Sequence, residues 1–345
     1  MKVLSLFDGI ACSRVALERA GISIEKYYAS EIDKYAIQIA QKNYPDTIQL
    51  GDVKGLHFNV PRGNKFPVDL LVGGFPCVDL SIAKKNRKGL AGDKSGLFYE
   101  MIRIHKEVKP KFFLYENVSS MAKDQKELIL KTIQQIDPSA YCIEINASLV
   151  SAQKRKRLFF TNIPGITQPQ DKGIMLKDIL EDKVDEKYYV KNVTMIEGVG
   201  NKKTELKFLG GIRNKDWAKD GKKLSRNFGQ GDRVYSTDGK STTLSALGGG
   251  RGAKTGLYAI PNKSRTIRTS GRGSGYGDKH NWDMITPIRR LTPIEAERLQ
   301  GLRDNYTADI SDNQRYHCLG NAFNVDVVTW ILSFIPISLN KSKNI

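Results

Sequence analysis

The sequence contains no C-x-x-C pair: Cys12, Cys77, Cys142 and Cys318 stand singly along 345 residues. That spacing argues against a disulfide-stapled scaffold and for a reducing, cytoplasmic setting. Apolar runs of membrane-spanning length are missing, and the closing "WILSFIPISL" is short and broken by proline. A signal-peptide pattern is missing too; "MKVLSLFDGI" reads as a buried strand. There are no internal repeats. Acidic residues are scarce, 37 Asp and Glu against 55 Lys and Arg, for a net charge of +18. The excess is local: residues 200–282 hold 18 basic and 6 acidic residues, +12 of the +18, with 16 of the 31 glycines. Short strand-like runs in that stretch ("STTLSALGGG", "GLYAI", "RTIRTS") distinguish it from a low-complexity linker. A basic, loop-rich module of this kind suits a phosphate backbone.

The first 165 residues alternate short apolar runs with amphipathic helical patterns, from "KVLSLF" and "SRVALERAG" to "YCIEINASLV" and "KRLFFTNI". This predicts an α/β fold, a doubly wound Rossmann-like parallel sheet covered on both faces, with ligands at the carboxyl ends of its strands. Further on, "LTPIEAERLQGL" predicts a helix with Thr292 as N-cap, Pro293 at its first position and Gly301 at its end, and "NVDVVTWILSFI" a final helix that returns to the first domain.

Three successive strands end in acidic residues: "FDGIACS" gives Asp8, "YYASEID" gives Glu31, and "IQLGDV" gives Asp52. Gly9 lets the backbone approach a ligand at the first turn, though one glycine is no dinucleotide fingerprint and also suits a plain tight turn. Three carboxylates fit a ligand with ribose, exocyclic amine and ammonium groups better than one with a pyrophosphate, and S-adenosylmethionine has all three. Ordinary turn chemistry is the alternative.

The fourth strand runs into "GGFPCVDLSIA", where Gly-Gly-Phe-Pro presents Cys77 at the sheet edge; Cys142 reads instead as an inert, buried thiol. The fifth, "KFFLYENV", ends in Glu116, a carboxylate either paired structurally or kept for proton work. In "SAQKRKRLFF", Gln153, Arg155 and Arg157 alternate with Lys154 and Lys156, so an extended segment puts the first three on one face.

Together these stretches resemble the DNA (cytosine-5) methyltransferase family over almost the whole chain, in the family's order: "FDGIACSRVALERAGI", "EID", "GDV", "GGFPCVDLSIA", "GLFYEMIRI", "ENV", "QKRKR", "RRLTPIEAERLQG" and "GNAFNVDVV". Two positions depart from the bacterial pattern. Ala11 replaces the last glycine of F-x-G-x-G, and Val78 stands where many members carry glutamine; both look nearer to the eukaryotic de novo branch.

The resemblance implies a catalytic domain of residues 1–164 and 287–345 and a smaller target recognition domain of residues 165–286. It implies catalysis by Cys77, Glu116, Arg155 and Arg157, and S-adenosylmethionine, leaving as S-adenosylhomocysteine, held by Phe7, Asp8, Gly9, Ile10, Glu31, Ile32, Asp52, Val53, Pro76, Leu97, Asn321 and Ala322. Metal is not required. Cys77 would attack carbon 6 of a flipped cytosine while Glu116 engages ring nitrogen 3. Duplex DNA would meet Ser81, Lys84, Lys85, Arg87 and Lys88 in a loop over 78–96 that closes on the base, and also Gln153, Thr243, Arg251 and Lys254. A cytoplasmic monomer acting on the bacterial nucleoid or in a phage-infected cell follows, and a cognate restriction nuclease is left open. The rivals are a tRNA cytosine-5 methyltransferase, whose Cys-Phe-Thr signature does not occur here, and an inactive DNA-binding relative, which would not need the full catalytic set.

Overall fold

The computed structural model describes residues 1–58, 66–75, 96–191, 193–197, 205–214, 228–246, 255–260 and 287–336. Its main sheet is built from β1 (Lys2–Leu6), β2 (Lys26–Ser30), β3 (Ile48–Gln49), β4 (Leu70–Gly73), β5 (Phe112–Val118), β6 (Tyr141–Asn146) and β7 (Lys156–Thr161). The spatial order is β3-β2-β1-β4-β5-β7-β6. β1 to β5 pair in parallel, and β7 runs antiparallel to both β5 and β6. The sheet is thus parallel as expected except for β7, which enters directly from β6 through a short connection and has no crossover helix to reverse it.

Side-chain alternation builds two cores from the same strands. Val3, Leu70, Val72, Phe112 and Leu114 face one way, onto α1 (Cys12–Arg19), α2 (Lys34–Asn43) and the C-terminal helices. Leu4, Leu6, Leu71, Phe113 and Tyr115 face the other, onto α3 (Leu97–Val108) and α4 (Lys123–Gln134). Strands buried on both faces explain the continuous apolar runs of the sequence, each Leu or Phe contributing about 1.5–3 kcal/mol.

A second sheet, in the order β12-β11-β10-β9-β8, comprises β8 (Val193–Glu197), β9 (Phe208–Asn214), β10 (Arg233–Ser236), β11 (Leu257–Ala259) and β12 (Ile288–Arg289). Its own core is small, centred on Ile212, Val234, Leu257 and Ala259. Two details differ from the expected domain limits. Ile166, Ile174 and Leu176 pack into the core of the main sheet, because this apolar stretch is the wall nearest α5 and α7; and β12 extends the second sheet past residue 287.

The chain then returns through α5 (Pro293–Leu299), α6 (Asp312–Asn321) and α7 (Val325–Leu332). Thr292 caps α5, accepting from the Glu295 N–H at 3.1 Å while Glu295 accepts from the Thr292 N–H at 2.9 Å, a reciprocal capping box. Glu295 also forms a fully buried ion pair with Arg289 at 2.6 Å, tying β12 to this helix. Gly301, at φ 74°, ends the segment.

Candidate active site at the carboxyl edge of the sheet

The turn from β1 to α1 holds Phe7, Gly9 and Ala11 at φ 55°, 61° and 61°. Ala11 adopts the left-handed conformation that glycine takes without cost, at a penalty of roughly 1–2 kcal/mol. α1 starts there without a side-chain cap, so its first N–H groups face the turn. The Gly9 N–H donates to Glu31 at 2.8 Å, and the same carboxylate accepts from Ile32 and Asp33 at 2.7 and 2.9 Å. Glu31 is thereby fixed at the end of β2, with Ile32 beside it 73% exposed.

Asp8 lies under this turn. Tyr27 donates to its Oδ1 at 2.6 Å, whereas Oδ2 is buried with no hydrogen-bond partner among the described residues. Burial pushes the Asp8 carboxyl up to about 6, against the pull of its hydrogen bonds. Asp52 is exposed and caps the turn over Val53–Gly55, accepting from the Lys54 N–H at 3.0 Å, while Val53 is buried. Leu97 opens α3 half-buried, and from that helix Arg103 donates to the Val53 carbonyl at 3.3 Å. The residues expected to hold a cofactor on the first three strands therefore share one edge. Ile10 in the same turn is buried, its carbonyl accepting from Tyr306 at 2.7 Å.

Beside them, Gly74 follows directly on β4. A Cβ there would lie 2.7 Å from the Phe323 ring and 3.5 Å from Glu116 Oε2, so any side chain requires that ring to move. Asn117, buried on β5, donates to the Phe75 carbonyl at 3.1 Å and fixes the chain one residue before Pro76. Pro76, Cys77, Ser81, Lys84, Lys85, Arg87, Lys88, Arg251 and Lys254 lie outside the described residues, as does the expected closing loop up to Gly96.

Glu116 pairs with Arg157 at 2.7 Å (Oε1 to Nε), both side chains largely buried. The β5–β7 register sets Glu116 opposite Phe159, which makes Arg157 its diagonal neighbour. Arg155, Phe323, Asn324 and Val327 are among the other residues that line this small pocket.

The expected alternation over 153–157 holds, but Arg155 and Gln153 make their described contacts inside the protein. Arg155 is buried and donates to the carbonyls of Leu244, Gly320 and Ala322 at 3.4, 3.3 and 2.8 Å. Its guanidinium thus bonds main-chain carbonyls while lining the same pocket as Glu116 and Arg157. Gln153, expected at DNA, is fully buried: it accepts from the Leu244 N–H at 3.1 Å and donates to Leu299 O and Gln300 Oε1, both at 3.3 Å. Segment 241–244 and the end of α5 cover the face that the alternation exposes. Thr243, also expected at DNA, is half-buried and donates to the Lys154 carbonyl at 2.6 Å. Asn321 is exposed, but Ala322 is buried with its carbonyl taken by Arg155 and Gln300. Cys142 is half-buried, and burial pushes its thiol up to about 11, in keeping with an inert role. Sequence reasoning missed Asn117, Tyr27 and Phe323. Asn117 had a signal, since it follows Glu116 directly; the other two had none.

Among the described residues no cluster of His, Cys, Asp and Glu could hold a metal ion, and no helix is long and apolar enough to cross a membrane.

A family model described as C-5 cytosine-specific DNA methylase matches residues 1–336. The type II methyltransferase M.HhaI of Haemophilus parahaemolyticus is 30% identical over 360 residues, covering 99% of this chain and 95% of that one. The orphan methyltransferase M.Rho11sI of Bacillus phage rho11s is 33% identical over 310 residues, covering 75% of this chain and 60% of the phage protein's length. The solved structure of the Entamoeba histolytica methyltransferase EhMeth superposes with a TM-score of 0.66 at 18% identity, over 97% of both chains, and shares the fold.

Proposed function

The chain belongs to the C-5 cytosine-specific DNA methylase family, and from that premise we propose that it methylates carbon 5 of a cytosine flipped out of duplex DNA, with Cys77 as nucleophile and S-adenosylmethionine as methyl donor. The observation that carries the reading is the Glu116–Arg157 pair, 2.7 Å apart in the pocket beside Gly74, three residues before Cys77.

The residues at the ends of the first three strands fit the donor. Asp8 Oδ2, buried and unpartnered among the described residues, offers an acceptor to an ammonium or hydroxyl group. The Glu31 carboxylate suits ribose hydroxyls, and exposed Ile32 offers a flat apolar contact for a purine. The bound donor supplies an electrophilic methyl group on a sulfonium.

Carbon 5 of cytosine is a weak nucleophile until a group adds at carbon 6. The Cys77 thiolate makes that bond, and its electron pair moves through the ring as Glu116 hydrogen-bonds or protonates nitrogen 3. Arg157 holds the Glu116 carboxyl in place and faces the carbonyl edge of the base, countering charge as it develops. Asn117 and Gly74 position the approach to Cys77. Once carbon 5 is methylated, loss of its proton restores the double bond and expels the thiolate. Duplex DNA is favoured as substrate by the basic stretch of residues 200–282. A cytoplasmic monomer is the simplest form of the enzyme, and a restriction nuclease of matching specificity is the partner to seek.

A duplex with 5-fluorocytosine in place of cytosine tests this directly, because fluorine cannot leave as a proton does. Wild type with S-adenosylmethionine should form a covalent adduct with that duplex, and Cys77→Ser none; an adduct formed only with fluorinated tRNA, or equally by both proteins, would overturn the reading.

A further inference from the structure

α6 carries His317, Gly320 and Asn321 at i, i+3 and i+4, hence on one face. That face touches the recognition segment. A Cβ at Gly320 would lie 2.2 Å from the Ala246 nitrogen, and His317 Nδ1 lies 3.1 Å from the Ala246 carbonyl oxygen. The same imidazole reaches the cofactor end: Nε2 is 3.4 Å from Asn321 Nδ2 and 3.7 Å from Asp33 Oδ2. Asp33 follows Glu31 by two residues, donates its N–H to the Glu31 carboxylate, and caps α2 through Oδ1 at 2.8 and 3.1 Å from the Tyr35 and Ala36 N–H groups.

We propose that His317 is a positioning residue that couples the seating of the recognition segment on DNA to binding at the cofactor end of the site. The carbonyl opposite Nδ1 requires a proton on that nitrogen. Nε2 then faces Asn321 Nδ2 as acceptor and lies near the Asp33 carboxylate, so the ring connects Ala246 to Asn321 itself and to a residue beside Glu31. Besides Asp33, the ionisable groups nearby are Glu31 and, on α6, Cys318, whose thiol is pushed up to about 12 by burial and the two carboxylates, so it stays neutral. Any shift of residues 244–246 on DNA moves the Ala246 carbonyl and, through the ring, the groups that hold the cofactor. The side chains of Arg155 and Gln153 also meet the Leu244 main chain, and Arg155 reaches the Gly320 and Ala322 carbonyls, but neither side chain has a described bond to Asp33.

This inference rests on the methyl-donor reading. Its test is the affinity of the full chain for S-adenosylhomocysteine, measured by calorimetry with and without sheared, unmethylated genomic DNA. The ratio of the two affinities is the coupling, reciprocal by linkage and on the order of fivefold or more when two sites communicate. Wild type should show such coupling. His317→Ala should bring it close to one, with affinity in the absence of DNA kept within about twofold. His317→Gln, whose carboxamide can donate to Ala246 and accept from Asn321, should restore it to within about twofold of wild type. Coupling unchanged in His317→Ala, absent in wild type, or lost in both variants would overturn the assignment. Failure of wild type to bind S-adenosylhomocysteine at all would overturn the methyl-donor reading itself and this inference with it.

Discussion

Asp8 shows how one residue carries both a constraint and a function. Its carboxyl is raised from 3.8 to about 6 because burial outweighs the hydrogen bonds from its neighbours. A carboxyl raised in the folded state binds its proton more tightly there than in the unfolded chain. Stability of the ligand-free protein therefore falls as pH climbs from about 4 through 6 and levels off above, by up to about 3 kcal/mol at 1.36 kcal/mol per unit. Asp8→Asn should remove that contribution, so urea unfolding of the variant and wild type should diverge across this interval in the variant's favour and run parallel above it. Parallel curves from pH 4 to 7 would show that the carboxyl is not held as described. Asp8 and Glu31 were legible in the sequence, because an acid at the end of an apolar run is conspicuous. The Tyr27 contact that leaves one Asp8 oxygen unpartnered was not, since it joins side chains 19 residues apart.

The same contrast holds between whole elements. Strand alternation placed Gln153, Arg155 and Arg157 on one face, and it is a local property. What covers that face comes from elsewhere: segment 241–244, α5 and α6 arrive long after β7 in the chain, and they convert Gln153 and Arg155 into struts while leaving Arg157 to Glu116. Arg155→Met should therefore lower stability by about 2–4 kcal/mol, since it strands three buried carbonyls of two segments. Loss of turnover in a protein melting like wild type would return Arg155 to the reacting base. The exit of β4 makes a second prediction. Gly74→Ala places a methyl against the Phe323 ring and should cost at least about tenfold in turnover; the double variant with Phe323→Leu, a smaller and more pliable side chain, should recover part of it. No recovery in a well-folded double variant would show that Phe323 is not what excludes a side chain at residue 74.

Across the whole molecule, two cores share one sheet, and the recognition segment is attached along residues 152–155 by the backbone bonds between Lys154, Ser241 and Ala152. The doubly wound order, the acidic strand ends, and the return of α7 to the first domain were all legible, because each follows from hydrophobic period and turn chemistry. The limits of the second domain were not, since β12 and the apolar residues near 166–176 divide between sheets by packing rather than by composition. The account stands on Cys77 acting together with Glu116 and Arg157. Bisulfite sequencing of DNA from methylation-deficient cells expressing either wild type or Cys77→Ser tests it most directly. The account predicts new 5-methylcytosine at one short, recurrent site with wild type and none with the variant; unmodified DNA from wild type, or the same modified sites with both, would contradict it.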